Sequence, residues 1–281
     1  MKPAAYYNEI DPFAAQWLRN LIAGGHIAPG EVDERSIEDV TPDDLRGFTQ
    51  CHFFAGIGVW SHSLRLAGWP DNKPVWTGSC PCQPFSAAGK GDGFADERHL
   101  WPHFFHLISE CTPQHVFGEQ VASGNANAWF DLVQSDLEGM GYAFGLVPFA
   151  AAGVGAPHIR ERAYWVANTE GKGFPHGRSG AAQSFFTETD GKAFSTRPLE
   201  VNGFWRDADW LLCRDGKWRP VEPGTSPLVD GAAARLGRVE PGVARVASSN
   251  RVGRLKGYGN AINAQAAAEF IRAYMGVSYG R

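Results

Sequence analysis

The chain has few cysteines, and their spacing suits little of the usual cysteine chemistry. Five occur among 281 residues, an odd number at irregular intervals, which fits a reducing compartment rather than a disulfide scaffold. Cys80 and Cys82 form the one close pair. A redox motif would place two residues between them, and Cys51, Cys111 and Cys213 supply no second pair for zinc, so no metal is expected. No apolar run of about 18 residues exists, so no membrane span is expected. The opening Met1-Lys2-Pro3-Ala4-Ala5 lacks signal-peptide character, and the expectation is a soluble, cytoplasmic protein. Charge of one sign is also missing: 26 basic against 30 acidic residues leave a net charge of −4. That balance does not advertise nucleic acid, although a local basic groove suffices for phosphate contacts. Neither an internal repeat nor a long low-complexity tract appears. What remains is 43% hydrophobic, enough to bury an α/β core and leave room for a smaller second domain.

The stretch that organises the rest is Ser79-Cys80-Pro81-Cys82-Gln83-Pro84-Phe85-Ser86. Val75 to Gly78 reads as a short strand, and Pro81 and Pro84 forbid a helix through the thiol, so Cys82 projects from a loop at a strand end. Open α/β sheets carry their chemistry there. Downstream, Gly89, Gly91 and Gly93 suit a flap that changes backbone conformation as it closes on a ligand. Cys82 is thus a candidate covalent catalyst, whereas Cys80, on the strand side, reads as a buried, inert thiol.

Other segments supply candidate partners. Ala4 to Asp11 reads as a strand ending in acids, and Pro12 opens an amphipathic helix that Gly24-Gly25 ends. Glu9 at that strand end is either a ribose-binding carboxylate or a solvated acid favoured by the helix dipole. Residues 31–45 read as loop with a short strand around Ile37 to Val40. An apolar strand from Gln50 enters a glycine turn at Gly56 and Gly58, then a helix to Ala67, where backbone N–H groups can meet a ligand. Arg98 precedes a helix from Leu100 to Ile108 and serves either a phosphate or the helix start. His115 to Val121 reads as a buried strand carrying Glu119, either a functional acid or a salt-bridged one. A helix from Trp129 to Met140 and a strand from Tyr142 to Phe149 follow. Arg160 and Arg162, two apart before an apolar strand, are expected on one face. From 168 to about 229, basic and aromatic residues mix without a clean period, the pattern of a small irregular domain. The end is a turn at Gly257 to Asn263 and a helix through Ala266, Phe270 and Tyr274.

Pro81-Cys82-Gln83-Pro84-Phe85-Ser86 with Gly89 to Phe94 resembles the catalytic segment of the DNA cytosine-5 methyltransferases. Phe54-x-Gly56-x-Gly58, Glu119-Gln120-Val121, Arg160-x-Arg162 and Gly259-Asn260-Ala261-Ile262 resemble further motifs of that family. Gln120 and His158 stand where the family has asparagine and glutamine. The resemblance implies an S-adenosylmethionine-dependent, Rossmann-like α/β fold with a mixed, mostly parallel sheet and a small irregular target-recognition domain. It implies Cys82, Glu119, Arg160 and Arg162 as catalytic residues, with Arg162 toward the base and Arg160 supporting geometry. Phe54, Gly56, Gly58, Glu9, Ile10, Ser79, Pro81, Asn260 and Ile262 would bind S-adenosylmethionine; Gln83, Ser86, Lys90 and Arg98 would bind double-stranded DNA. Only 24 positions separate Gly58 from Cys82, too few for the section that normally supplies the adenosine pocket. The front of the chain resembles that section, with Asn8-Glu9-Ile10-Asp11 as the ribose-binding strand end and either Asp33 to Ile37 or Glu38-Asp39-Val40 as the adenine-contacting stretch. A circular permutation is therefore expected, and with it Glu9 close to Gly56. The expected organisation is 1–167 catalytic (1–48 carrying the ribose- and adenine-binding strands), 168–250 target recognition and 251–281 returning to the catalytic domain, in a monomer. Methylation of cytosine in RNA, a catalytically silent DNA-binding relative and transfer of another group are the alternatives.

Overall fold

A computed structural model describes residues 4–81, 100–122, 126–156, 160–169, 209–212, 218–221, 257 and 259–278. Seven strands form one sheet: β1 (Ala5–Asn8), β2 (Gly30–Asp33), β3 (Gln50–Phe53), β4 (Val75–Gly78), β5 (His115–Val121), β6 (Ala143–Ala150) and β7 (Glu161–Asn168). Their spatial order is β2-β1-β3-β4-β5-β7-β6. The first five run parallel, and β7 lies antiparallel to both β5 and β6. The fold is therefore α/β with a mixed, mostly parallel sheet. The first strand of the chain lies inside the sheet, paired with β3 through Ala5↔Gln50 to Asn8↔Phe53.

Among the described residues, five helices cover the sheet: α1 (Pro12–Ala23), α2 (Val59–Ala67), α3 (Trp101–Cys111), α4 (Asn127–Gly139) and α5 (Ala264–Ser278). Strand alternation sends successive side chains to opposite faces, and this sorts the core into layers. Cys51, Phe53, Trp76, Val116 and Trp165 pack with Trp101 and Phe104 of α3 and Trp129 and Val133 of α4. On the other face Phe117, Tyr164 and Val166 meet Trp60 and Leu64 of α2 and Phe270, Ile271 and Tyr274 of α5. Ala5 and Tyr7 pack with Leu18 of α1 in a smaller cluster. Burying each large side chain contributes roughly 1.5–3 kcal/mol, so these layers hold the strand ends in place.

The expected elements are found with ends shifted by a few residues, with one difference. Ile37 to Val40 is not a strand: Ile37–Asp39 is a 3-10 turn whose start is capped by Ser36, which accepts from the Glu38 N–H. The extended segment lies earlier, at Gly30–Asp33, where pairing with β1 satisfies its backbone. Beyond the main sheet, β8 (Asp209–Leu212) and β9 (Trp218–Val221) form an antiparallel pair in the stretch assigned to target recognition; the rest of 168–250 apart from Asn168 and Thr169 lies outside the described residues. Among the described residues, no helix is long and apolar enough to cross a membrane.

Candidate active site

A cleft of about 460 Å³ opens over the carboxyl ends of β1, β3, β4 and β5. Parallel strands end there together, which is where open α/β sheets place their sites. One half of the cleft is built by the beginning of the chain. Asp11 caps α1, its Oδ1 accepting from Phe13 N–H at 2.9 Å and Ala14 N–H at 3.2 Å, so the helix starts at the cleft wall. Glu9, just before it, accepts from Asp11 N–H through Oε1 at 2.9 Å and from Gly56 N–H through Oε2 at 2.7 Å. The expected proximity of Glu9 and Gly56 is thus present, across 47 residues of sequence. An ionised carboxylate has about four acceptor positions, so two remain for incoming donors such as paired hydroxyls.

Around Glu9 the walls are mainly apolar. Ile10 is 64% exposed, and Phe54, Ile37 and Leu100 also line the cleft. Phe54 sits at φ 51°, an uncommon conformation for an aromatic residue and one that marks a constrained turn. Gly56 follows at φ 54°, and a Cβ built on it meets nothing within 4 Å. That open space faces the cleft, so the turn presents backbone to whatever occupies it. Ser36 and Ile37 are brought to the rim partly by Asn8, whose Nδ2 donates to Arg35 O at 2.9 Å.

The other half is polar. Glu119, only 8% exposed, pairs with Arg162, Oε1 to Nε at 2.7 Å. Burial raises the pKa of Glu119 against the opposing effects of Arg162, Arg160 and a hydrogen bond from Ser79. Ser79 Oγ also accepts from the Trp60 indole N–H at 3.0 Å, which connects the acid to the helix after the glycine turn. Gln120 Nε2 donates to Cys80 O at 3.2 Å, while its Oε1 accepts from Val121 N–H at 3.0 Å. The glutamine therefore ties the end of β5 to the backbone two residues before Cys82. Cys80 itself is buried, as expected.

The cleft gathers Glu9, Ile10, Phe54, Gly56, Ser79, Pro81, Glu119, Arg162 and Asn260 from the expected site residues. Three others do not line it. Gly58 starts α2 in the left-handed region, and a Cβ there would press on Leu18 at 3.0 Å and Ile27 at 3.1 Å, so its task is packing. Ile262 is buried in the core with Trp60 and Phe270. Arg160 does not share a face with Arg162, because it precedes β7 at φ 27° and the two-residue period does not reach it. Its guanidinium instead donates to Gly259 O and Ala261 O. Cys82, Gln83, Ser86, Lys90 and Arg98 lie outside the described residues, as do the glycine flap and His158.

Sequence reasoning missed Phe13 and Ala14 as wall residues and the bracing by Gln120 and Trp60. The Asp11-Pro12 pair was a legible signal for a helix beginning at the site. The Gln120 and Trp60 contacts join residues 40 and 19 apart and leave no local pattern.

Chemically, the cleft offers a carboxylate for paired hydroxyls beside apolar surface for a flat ring, and a buried acid with an arginine beside the strand end leading to Cys82. Residues 69–190 match the family described as C-5 cytosine-specific DNA methylase. The chain is 28% identical to the Type II methyltransferase M.HaeII of Haemophilus aegyptius over 159 residues, 55% of this chain and 42% of that one. It is 33% identical to the Type II methyltransferase M.HhaI of Haemophilus parahaemolyticus over 101 residues, 34% of this chain and 31% of that one. The matches thus span less than half the length of these relatives. A solved structure of a DNMT2 mutant from Spodoptera frugiperda aligns at 18% identity with a TM-score of 0.41, covering 62% of this chain and 45% of that one.

Proposed function

We infer that this chain, whose residues 69–190 match the C-5 cytosine-specific DNA methylase family, transfers a methyl group to C5 of cytosine in double-stranded DNA. The observation that carries the reading is the pairing of buried Glu119 with Arg162 in the same cleft as the Glu9–Gly56 contact. One end of the cleft suits a pyrimidine, and the other suits a nucleoside-bearing cofactor.

The residues present fit S-adenosylmethionine. Glu9 keeps acceptor capacity for the ribose hydroxyls, Ile10, Ile37 and Phe54 offer apolar surface for the adenine, and the open space over Gly56 admits a ligand against backbone. Asn260, on the rim, is a polar partner for the amino-acid portion. When bound, S-adenosylmethionine supplies an electrophilic methyl group for C5. The chain's own residues prepare the base to receive it. The Cys82 thiolate adds to C6, which moves electron density to C5 and makes that carbon nucleophilic. Glu119, its pKa raised by burial, donates a hydrogen bond or proton to N3 and stabilises the charge that develops in the ring. Arg162 holds Glu119 in position from the neighbouring strand. Once C5 is substituted, loss of its proton and departure of the thiolate restore the aromatic ring. C6 is shielded in stacked duplex DNA, so the cytosine must be flipped out, and the segment 87–94 is the candidate flap.

The strand order supports a circularly permuted chain. β1 and β2 precede the glycine-turn strand β3 in sequence yet extend the sheet beyond it, so that Glu9 reaches Gly56. Residues 168–250 are proposed as the target-recognition region. The test is a labelled-methyl assay on duplex DNA and on transfer RNA, with mass spectrometry of the product nucleosides. Formation of 5-methylcytosine in duplex DNA is expected. Label in RNA alone, or a product other than 5-methylcytosine, overturns the assignment.

A further inference from the structure

Arg160 and Arg162 are two residues apart, and the charges of both act on Glu119, yet their hydrogen bonds go to different partners. Arg162 holds Glu119, the acid on the base side. Arg160 Nη2 donates to Gly259 O at 3.0 Å and to Ala261 O at 2.6 Å, both on the segment that precedes α5, 99 and 101 residues away. Gly257, Gly259 and Asn260 of that segment line the cleft. Two geometric facts make the contact more than an incidental surface bond. The backbone at Arg160 is turned to φ 27°, off the strand geometry that begins at Glu161, so its side chain does not follow the alternation that sets Arg162. The segment is also anchored on its far side: Ile262 is buried against α2, Asn263 Oδ1 accepts from Ala266 N–H at 2.8 Å, and Ser63 donates to Ala264 O at 3.0 Å. Between that anchor and the cleft, Arg160 is the side chain that holds the carbonyls on either side of Asn260.

We propose that Arg160 is a positioning residue that clasps residues 259–261 over the cleft, so that Asn260 meets the bound cofactor. The inference rests on the methyltransferase reading only for the cofactor's identity; the clasp itself is a property of the folded chain. The hydrogen bonds of Arg160 go to neutral backbone carbonyls, and the Glu119 carboxylate also favours its charge. A guanidinium nitrogen can span two such acceptors in a fixed, planar geometry, whereas a lysine ammonium ends a shorter stem and has no such pre-organised fork. Carbonyls that lose a charged donor return to solvent, and the segment is then free to move off the cleft.

The experiment compares full-length wild type with Arg160→Ala and Arg160→Lys in two readouts. Titration calorimetry with S-adenosylhomocysteine is expected to show binding about 10- to 100-fold weaker for the alanine variant, with part of the loss restored by lysine. Hydrogen exchange without ligand is expected to show faster exchange at Ala261, whose amide now bonds to Gly257 O, in the alanine variant, with Ala267 beyond the anchor and β3 to β5 unchanged. In turnover, KM for S-adenosylmethionine should rise more than kcat falls, unlike the loss of a group acting on the base. If wild type binds S-adenosylhomocysteine and the alanine variant binds it equally well, the clasp is refuted. Failure of wild type to bind refutes the methyltransferase reading, and the exchange data then decide the clasp: unchanged protection overturns it. Should the alanine variant not fold, the lysine variant carries the same comparison, and wild-type affinity and protection there also overturn the proposal.

Discussion

Glu9→Gln is the sharpest perturbation of the cofactor end. The native carboxylate accepts Asp11 N–H and Gly56 N–H, one on each oxygen, at 2.9 and 2.7 Å. Glutamine has nearly the same shape but one acceptor and one donor, so in either orientation one backbone N–H faces an NH₂ group. The variant therefore loses one charge-assisted hydrogen bond, about 1.5–3 kcal/mol in general. Because Glu9 is only half-buried and water can replace the lost partner, about 1.5 kcal/mol is the expected loss. Urea unfolding should show a lower midpoint at unchanged slope, since the exposed surface on unfolding is the same. Affinity for S-adenosylhomocysteine should fall by about tenfold or more, because the remaining acceptor capacity for the ribose is halved and no longer charged. Unchanged stability together with unchanged affinity would refute the argument that Glu9 joins the front of the chain to the glycine turn and holds the ribose.

Further substitutions separate fold from chemistry. Gly56→Ala places a side chain at φ 54°, costing about 1–2 kcal/mol, and fills the space over the turn, so cofactor binding measured by calorimetry should weaken while the fold survives. Gly118→Ala should act through the fold instead: its Cβ would lie 2.1 Å from the indole of Trp165, a wholly buried ring stacked on Phe144, and thermal unfolding should reveal a loss of about 1–3 kcal/mol. Glu119→Gln keeps a hydrogen-bond donor but cannot deliver a proton, and kcat should drop by about 10²- to 10⁴-fold. Burial raises the Glu119 pKa, so the protonated acid persists to higher pH than for a free carboxyl and is lost as pH rises through that raised value. The wild-type kcat/KM profile should carry this alkaline limb, and the glutamine variant should lack it.

Much of this was legible locally, because the signals were local. The strand at His115–Val121 and the helix opening at Pro12 follow from apolar pattern and turn chemistry within a few residues. The nearness of Glu9 and Gly56 was legible for another reason: the interval between Gly58 and Cys82 is shorter than the family pattern requires, and the front of the chain resembles the missing section. The divergence of Arg160 from Arg162 was not legible, since alternation holds only inside a strand and the positive φ at Arg160 has no sequence marker in an arginine. Gly58 and Ile262 pack behind the cleft rather than line it, a distinction that motif membership does not carry. The strand expected at Ile37 gave way to a turn because Ser36 capping competed locally with extension.

The central claim is that Cys82 forms a transient covalent bond to C6 of a flipped cytosine. Duplex DNA carrying 5-fluorocytosine removes the C5 proton that must leave, so in the presence of S-adenosylmethionine the adduct should accumulate as a denaturant-resistant protein–DNA complex. Peptide mapping should place the cross-link at Cys82, and Cys82→Ala should form none. An adduct on another cysteine, or no adduct from protein that methylates the unmodified duplex, would contradict the mechanism.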